Sequence, residues 1–151
     1  MADRAEAGSD PFVDVRWVYV DAMNVIGSRP DGWWRDRDGA VRRLASQLAS
    51  FAAAREVEVV LVIDGRPVTG LPEGPTRDVH VRYATRSGRD AADDRIVELV
   101  GSADDVRGVA APTLVVTADR ELRRRVRAMG ARVVGPRDLL ALLDRLPEVP
   151  G

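Results

Sequence analysis

The chain is expected to fold as an α/β protein, a three-layer α/β/α arrangement around a mostly parallel central sheet, and three observations predict this. Short apolar runs alternate with longer segments of 3.6-residue periodicity, the rhythm of repeated strand–helix units. Val57 to Ile63 is almost continuously apolar, as a central parallel strand covered on both faces must be. Aspartates also close or closely follow the apolar runs, at Asp21, Asp64 and Asp119. Those positions are the carboxyl ends of strands, where an open parallel sheet forms its ligand crevice.

Taken in order, residues 1–14 are small, polar and unpatterned, and are expected to be a mobile tail before a domain spanning 15–146. Residues 16–21 form the first strand, and Asn24, Gly27, Pro30 and Gly32 then break the chain into a loop. A helix follows from about Gly39 to Arg55, with Val41, Leu44, Ala45, Leu48, Phe51 and Ala52 on one stripe. After the Val57–Ile63 strand comes a Gly/Pro loop from Gly65 to Pro75. Val79, Val81 and Tyr83 then alternate with polar residues, which suits an edge strand. Asp90 to Val100 reads as a helix ended by Gly101, and Asp104 to Ala111 as a connector. Thr113 to Thr117 is the next strand, Asp119 to Met129 a helix closed by Gly130, and Arg132 to Val134 a short strand. Pro136 suits the first turn of a last helix reaching Leu146, and 147–151 form a C-terminal tail.

Composition narrows the chemistry. The 151 residues are 45% hydrophobic and 31% charged, an ordinary globular balance with room for one core. No run of about 18 apolar residues exists to span a membrane, and the N-terminal segment lacks the apolar centre of a signal peptide, so a cytoplasmic location is expected. The absence of cysteine excludes disulfides and thiolate zinc sites. His80, alone of its kind, leaves little scope for Ser-His chemistry and reads as an edge-strand surface residue. Net charge is −1, from 23 basic and 24 acidic residues, so the whole-molecule field does not draw in nucleic acid. The basic residues are arginine, however, and Arg120, Arg123, Arg124, Arg125 and Arg127 crowd the segment after Asp119. Arginine offers phosphate a bidentate fork; the alternative is a solvated helix face.

Carboxylates delivered to one crevice from separate strands repel each other unless a cation neutralises them. Oxygen ligands without Cys point to Mg²⁺ or Mn²⁺, and thus to metal-dependent chemistry on phosphates. Asp93 joins the set through helical spacing, because positions 93, 96, 97 and 100 share one stripe and the last three are Ile, Val and Val. An aspartate heading an apolar stripe faces inward, where it needs a partner or a metal. Helix capping is the competing account for Asp93 and the expected role of Asp90. Asp94 is expected to face solvent and Asp138 to offset a helix dipole. Asp119 either caps the arginine helix itself or, with Thr117 as an equally plausible cap, is left free for the crevice; Asp64 either joins the crevice or starts a turn. Asn24 is placed to bond a metal-bound water or to fix its turn. Trp33 and Trp34, beside Arg35, are placed to stack bases at the crevice mouth, one of them packing on the first helix instead, and Trp33 is the candidate substrate contact.

The segment Asp21-Ala22-Met23-Asn24-Val25 resembles the strand-one signature of NYN domains, a branch of the PIN-like nucleases, and within them the YacP-like family. The family's usual form is Asp-Gly-Tyr-Asn-Val, so Ala22 and Met23 depart from it and remove any substrate contact made by the tyrosine ring. Ile63-Asp64, Ala92-Asp93 and Thr117-Ala118-Asp119 extend the resemblance over about residues 16–146. It implies a PIN-like fold, Mg²⁺ or Mn²⁺ held by Asp21, Asp93 and Asp119, and RNA as substrate.

Together with the resemblance, these readings lead to the expectation of a ribonuclease that would hydrolyse RNA phosphodiester bonds through Asp21, Asp93 and Asp119 with Asp64 in support. Arg120 and Arg124 would hold the strand's backbone. The alternative is a non-catalytic RNA-binding or ribosome-associated module with the same acidic pocket. A small-molecule phosphohydrolase is weaker, because Asp21-Ala22-Met23 lacks the Asp-x-Asp nucleophile pair.

Overall fold

A computed structural model describes residues 10–76, 79–84, 91–107 and 112–146. Six strands form one sheet: β1 (Trp17–Asp21), β2 (Glu58–Ile63), β3 (Gly74–Thr76), β4 (Val79–Tyr83), β5 (Thr113–Val116) and β6 (Arg132–Val134). Their order is β3-β4-β2-β1-β5-β6, with every pairing parallel except β3 with β4. The helices are α1 (Ala22–Gly27), α2 (Arg37–Arg55), α3 (Ala91–Arg107), α4 (Arg120–Ala128) and α5 (Pro136–Arg145), with a 3₁₀ turn at Trp33–Asp36. Among the described residues, no helix is long and apolar enough to cross a membrane.

The two-residue alternation of strands builds two cores. Val18, Val20, Val59, Leu61, Ile63, Leu114 and Val116 point to one face, where α1, α2 and α5 cover them with Val25, Leu44, Leu48, Phe51, Leu139 and Leu143. Tyr19, Val60, Val62 and Val115 point to the other, under Ile96 and Val100 of α3 and Leu122 and Val126 of α4. The predicted stripe of α2 is buried at each of its six positions, and Gly130 takes the left-handed conformation (φ 91°) that closes the chain beyond α4.

Several local expectations yield to tertiary contacts. The packed chain begins by Asp10 rather than at residue 15, because Phe12 inserts into the core and meets Phe51 edge-on at 5.1 Å, while Asp10 pairs with Arg55. Asn24 lies inside α1, a helix short enough for its two apolar anchors, Val25 and Ile26, to be hidden among loop residues. Strand β4 is interior, because β3, whose Gly74-Pro75 reads as loop, adds the true edge. His80 is accordingly half-buried and bonds Glu58 Oε1 at 2.7 Å. Helix α3 runs through Gly101 to Arg107; the glycine stays helical and faces Met129, whose Cε lies 3.4 Å from where a Cβ would sit. A mid-helix glycine costs under about 1 kcal/mol relative to alanine, too little to end a helix packed on a sheet. Asp90, residues 1–9, 108–111 and 147–151 lie outside the described residues.

Phe12→Ala tests where the domain starts. The change should cost about 3 kcal/mol in urea denaturation, the range for emptying a buried phenylalanine site. A silent substitution would return Phe12 to the tail.

Candidate active site

Register sets the geometry of the crevice. Asp21, the last residue of β1, pairs with Val62 of β2, so Asp64 lies two residues past that partner. On the other side Val20 pairs with Val116, and Asp119 follows three residues later. Strand β1 is therefore flanked at its carboxyl end by an acid from each neighbour. Between β1 and β5 the chain also changes direction across the sheet, since β2, β3 and β4 extend to one side and β5 and β6 to the other. This is the switch point at which parallel sheets bind ligands.

Asp21 is buried, at 6% exposure. Its side chain caps α1, accepting from the backbone N–H of Asn24 at 3.4 Å, a long and weak bond. Loss of hydration is the largest influence on it, followed by the Asn24 bond, which acts in the opposite sense, and then by the negative charges of Asp119 and Asp64. The net result pushes its pKa up from 3.8 to about 6. The crevice thus brings Asp64 and Asp119 within electrostatic reach of Asp21.

Asp119 caps α4, its Oδ1 accepting from Leu122 N at 2.8 Å. Thr117 does not take that role: it is fully buried, and its hydroxyl oxygen accepts from Asp119 N at 3.1 Å. The Thr117 carbonyl in turn accepts from Arg123 Nε at 2.9 Å. Asn24 Oδ1 accepts from Ala118 N at 2.9 Å, pinning α1 to the turn that carries Asp119. Asn24 therefore shapes the site by holding a backbone, and Thr117 and Arg123 do the same from the far side. The sequence signal for Thr117 was its place two residues before Asp119, readable as a cap but not as a buried acceptor.

Asp93 sits in the first turn of α3 at 8% exposure, on the face that carries Ile96 and Val100. It points inward as its stripe requires, yet it is not among the charges that perturb Asp21. Among the described residues, no three acidic or histidine side chains come together closely enough to enclose a metal ion. Helix α4 engages one oxygen of Asp119 as its cap, and Asp93 arrives on a separate helix. Asp94, expected in solvent, joins the two helices by an ion pair with Arg125 at 2.9 Å.

The arginine segment divides. Arg123 and Arg125 serve the protein's own fold, and Arg124 forms a two-point pair with Glu121, at 2.5 Å and 3.2 Å. Arg120 and Arg127 are exposed without an ion-pair partner among the described residues. Asp64 is half-exposed, and its carbonyl accepts from Arg37 Nη2 at 2.7 Å. Trp33 packs against the large core and Trp34 is exposed; Asp138 is exposed in the first turn of α5.

Residues 18–149 match the YacP-like NYN domain. The fold is similar to that of Rae1 (YacP) from Bacillus subtilis, with a TM-score of 0.69 and 23% identity over 86% of this chain and 74% of that one. A single-substitution mutant of the same protein gives a TM-score of 0.68 and 22% identity, over 86% of this chain and 76% of that one. The chain is also 44% identical over 85 residues to the UPF0178 protein mlr0875 of Mesorhizobium japonicum. That match takes in 54% of this chain and 49% of the relative, so it spans about half the relative's length.

Because the folded state holds the Asp21 proton more tightly than the unfolded state does, stability falls as pH rises from about 4 to 6, and the loss is complete above that window. The shift corresponds to roughly 3 kcal/mol. In EDTA at neutral pH, Asp21→Asn should therefore be more stable than wild type by up to that amount, its amide oxygen still capping α1. The gap should close below about pH 4. A difference that does not vary with pH would show that the charge of Asp21 carries no folding penalty.

Proposed function

The chain belongs to the YacP-like NYN family, a nuclease-type, RNA-related fold, and on that premise we propose that it is a divalent-metal-dependent ribonuclease. The observation that carries the reading is the buried carboxylate of Asp21, forced up to about pKa 6 at a strand end faced by two further acids. Lost hydration is the main cause, with the charges of Asp119 and Asp64 added to it, and a cation bound at the carboxylate would offset both.

The donor set fits Mg²⁺ or Mn²⁺. These ions take one or two carboxylates and complete their shell with water and substrate phosphate, so no closed protein cage is needed. Asp21 and Asp119 would hold the ion, each having a carboxylate oxygen with no bond among the described residues. Asp64 stands at the rim, and Asp93 enters from α3 as the further acid that the family resemblance implies. When bound, the ion lowers the pKa of an attacking water and neutralises charge on the scissile phosphate. Asn24 and Thr117 keep the Ala118–Asp119 turn in place, so that Asp119 stays aimed at the crevice. Arg120, first residue of α4 and without an ion-pair partner among the described residues, receives a backbone phosphate; Arg124 does so only by leaving Glu121. The second reading is an RNA-binding or ribosome-associated module without turnover, in which Asp21 and Asp119 would serve the fold as helix caps.

With Mn²⁺ or Mg²⁺ the purified protein should cut single-stranded RNA and EDTA should stop it. Asp21→Asn should lower the rate by orders of magnitude while retaining RNA binding, because only the anchoring of the ion is lost. Wild type that binds RNA and never cuts it, across metals and substrates, selects the second reading. For the arginines, Arg120→Ala should flatten the salt dependence of binding by about 0.7 in log–log slope, one phosphate contact on a single strand. Arg124→Ala should flatten it less, and equal effects would mean that the Glu121 pair does not restrain Arg124.

A further inference from the structure

Trp33-Trp34-Arg35 is a feature that the acid crevice does not explain. Trp34 is 60% exposed, the most exposed large hydrophobic side chain among the described residues. An aromatic of this size contributes to folding by being buried, and here most of that contribution is forgone. We propose that Trp34 and Arg35 form a stacking platform for one unpaired nucleobase of the RNA, beside the acid crevice. The proposal rests on the RNA-directed reading above and adds to it a substrate-positioning residue.

The platform is built rather than loose. Trp33, half-buried, packs against the core and stands edge-on to Trp34, with centroids 6.1 Å apart and planes at 84°. The Arg35 guanidinium lies 5.8 Å from the centre of the Trp34 ring, and Arg35 has no ion-pair partner among the described residues. Gly32 makes this possible. Its φ of 77° turns the chain, its carbonyl accepts from Arg35 N at 3.0 Å, and a Cβ there would stand only 3.3 Å from Arg35 Nη1. Just downstream, Asp36 caps α2 through Gly39 N at 3.0 Å.

Its placement follows from Arg37, three residues past Trp34. The Arg37 guanidinium donates to the carbonyls of Asp64 at 2.7 Å and Arg66 at 3.1 Å, so the turn is fastened to the loop carrying one of the crevice acids. A base laid on Trp34 would gain stacking, and its 5′ or 3′ phosphate would meet the guanidinium of Arg35. Every base has a π-face, so the platform reads the absence of pairing rather than sequence. The ligand it selects is single-stranded RNA.

The test is binding of dye-labelled single-stranded oligoadenylate in EDTA, followed by anisotropy, beside an abasic strand of the same length. Trp34→Ala should weaken oligoadenylate binding about tenfold, within the range of one lost stacking contact. It should leave abasic-strand binding and the melting temperature unchanged, and Trp34→Phe should restore most of the affinity. Oligoadenylate binding equal in wild type and Trp34→Ala would overturn the platform alone, as would equal losses on both strands. A wild type that binds neither strand would overturn the RNA-directed reading and the platform together.

Discussion

Strand β1 is hydrogen-bonded along both edges, to β2 and to β5, and this double pairing is the constraint from which the site follows. A one-residue slip of this strand would invert every side chain and send Val18 and Val20 to the wrong core. Asp21, at its end, is consequently held at a fixed depth between two other strand ends. Its burial is a result of the register of its apolar neighbours, and so is its repulsion by Asp64 and Asp119.

Helix starts share the same edge of the sheet, because each crossover leaves a strand at its carboxyl end. Asp21 caps α1, Asp119 caps α4, Asp36 caps α2, and Asp93 lies in the first turn of α3. Capping and site formation are therefore not rival accounts of these acids. A cap engages one carboxylate oxygen and fixes the side chain's direction, while the second oxygen remains open to the crevice. The positive end of each helix dipole offsets part of the repulsion that the acids create. Burial still outweighs these gains at Asp21, whose only cap bond is long.

The arginines show how little residue counts reveal about an interface. Five of them lie between Arg120 and Arg127, yet Arg123, Arg124 and Arg125 are engaged by Thr117, Glu121 and Asp94. Within that segment the charge left for a polyanion lies at its two ends, Arg120 and Arg127, and Arg35 adds another beside the exposed Trp34. With a net charge of −1, recognition must be local and short in range.

Sequence by itself determined what depends on local periodicity and on burial of one face: the Val57–Ile63 strand, the apolar stripe of α2, the inward face of Asp93, the Gly130 stop and the Pro136 start. It also identified the strand-end acids Asp21 and Asp64 and, through the short motifs, the family. Tertiary structure decided whatever depends on a partner distant in the chain. Phe12 reads as tail until Phe51 is brought beside it, and β4 reads as an edge until β3 pairs with it. Thr117 and Asp119 are equally good caps on paper; the register of β5 buries the first and leaves the second at the helix start. Two adjacent tryptophans look alike in sequence, and only the turn at Gly32 lays Trp33 against the core and leaves Trp34 at the surface. The physical reason is common to these cases. Periodicity encodes which side of an element is apolar, while the neighbour that covers it is chosen by strand order and loop closure, which short-range patterns do not carry.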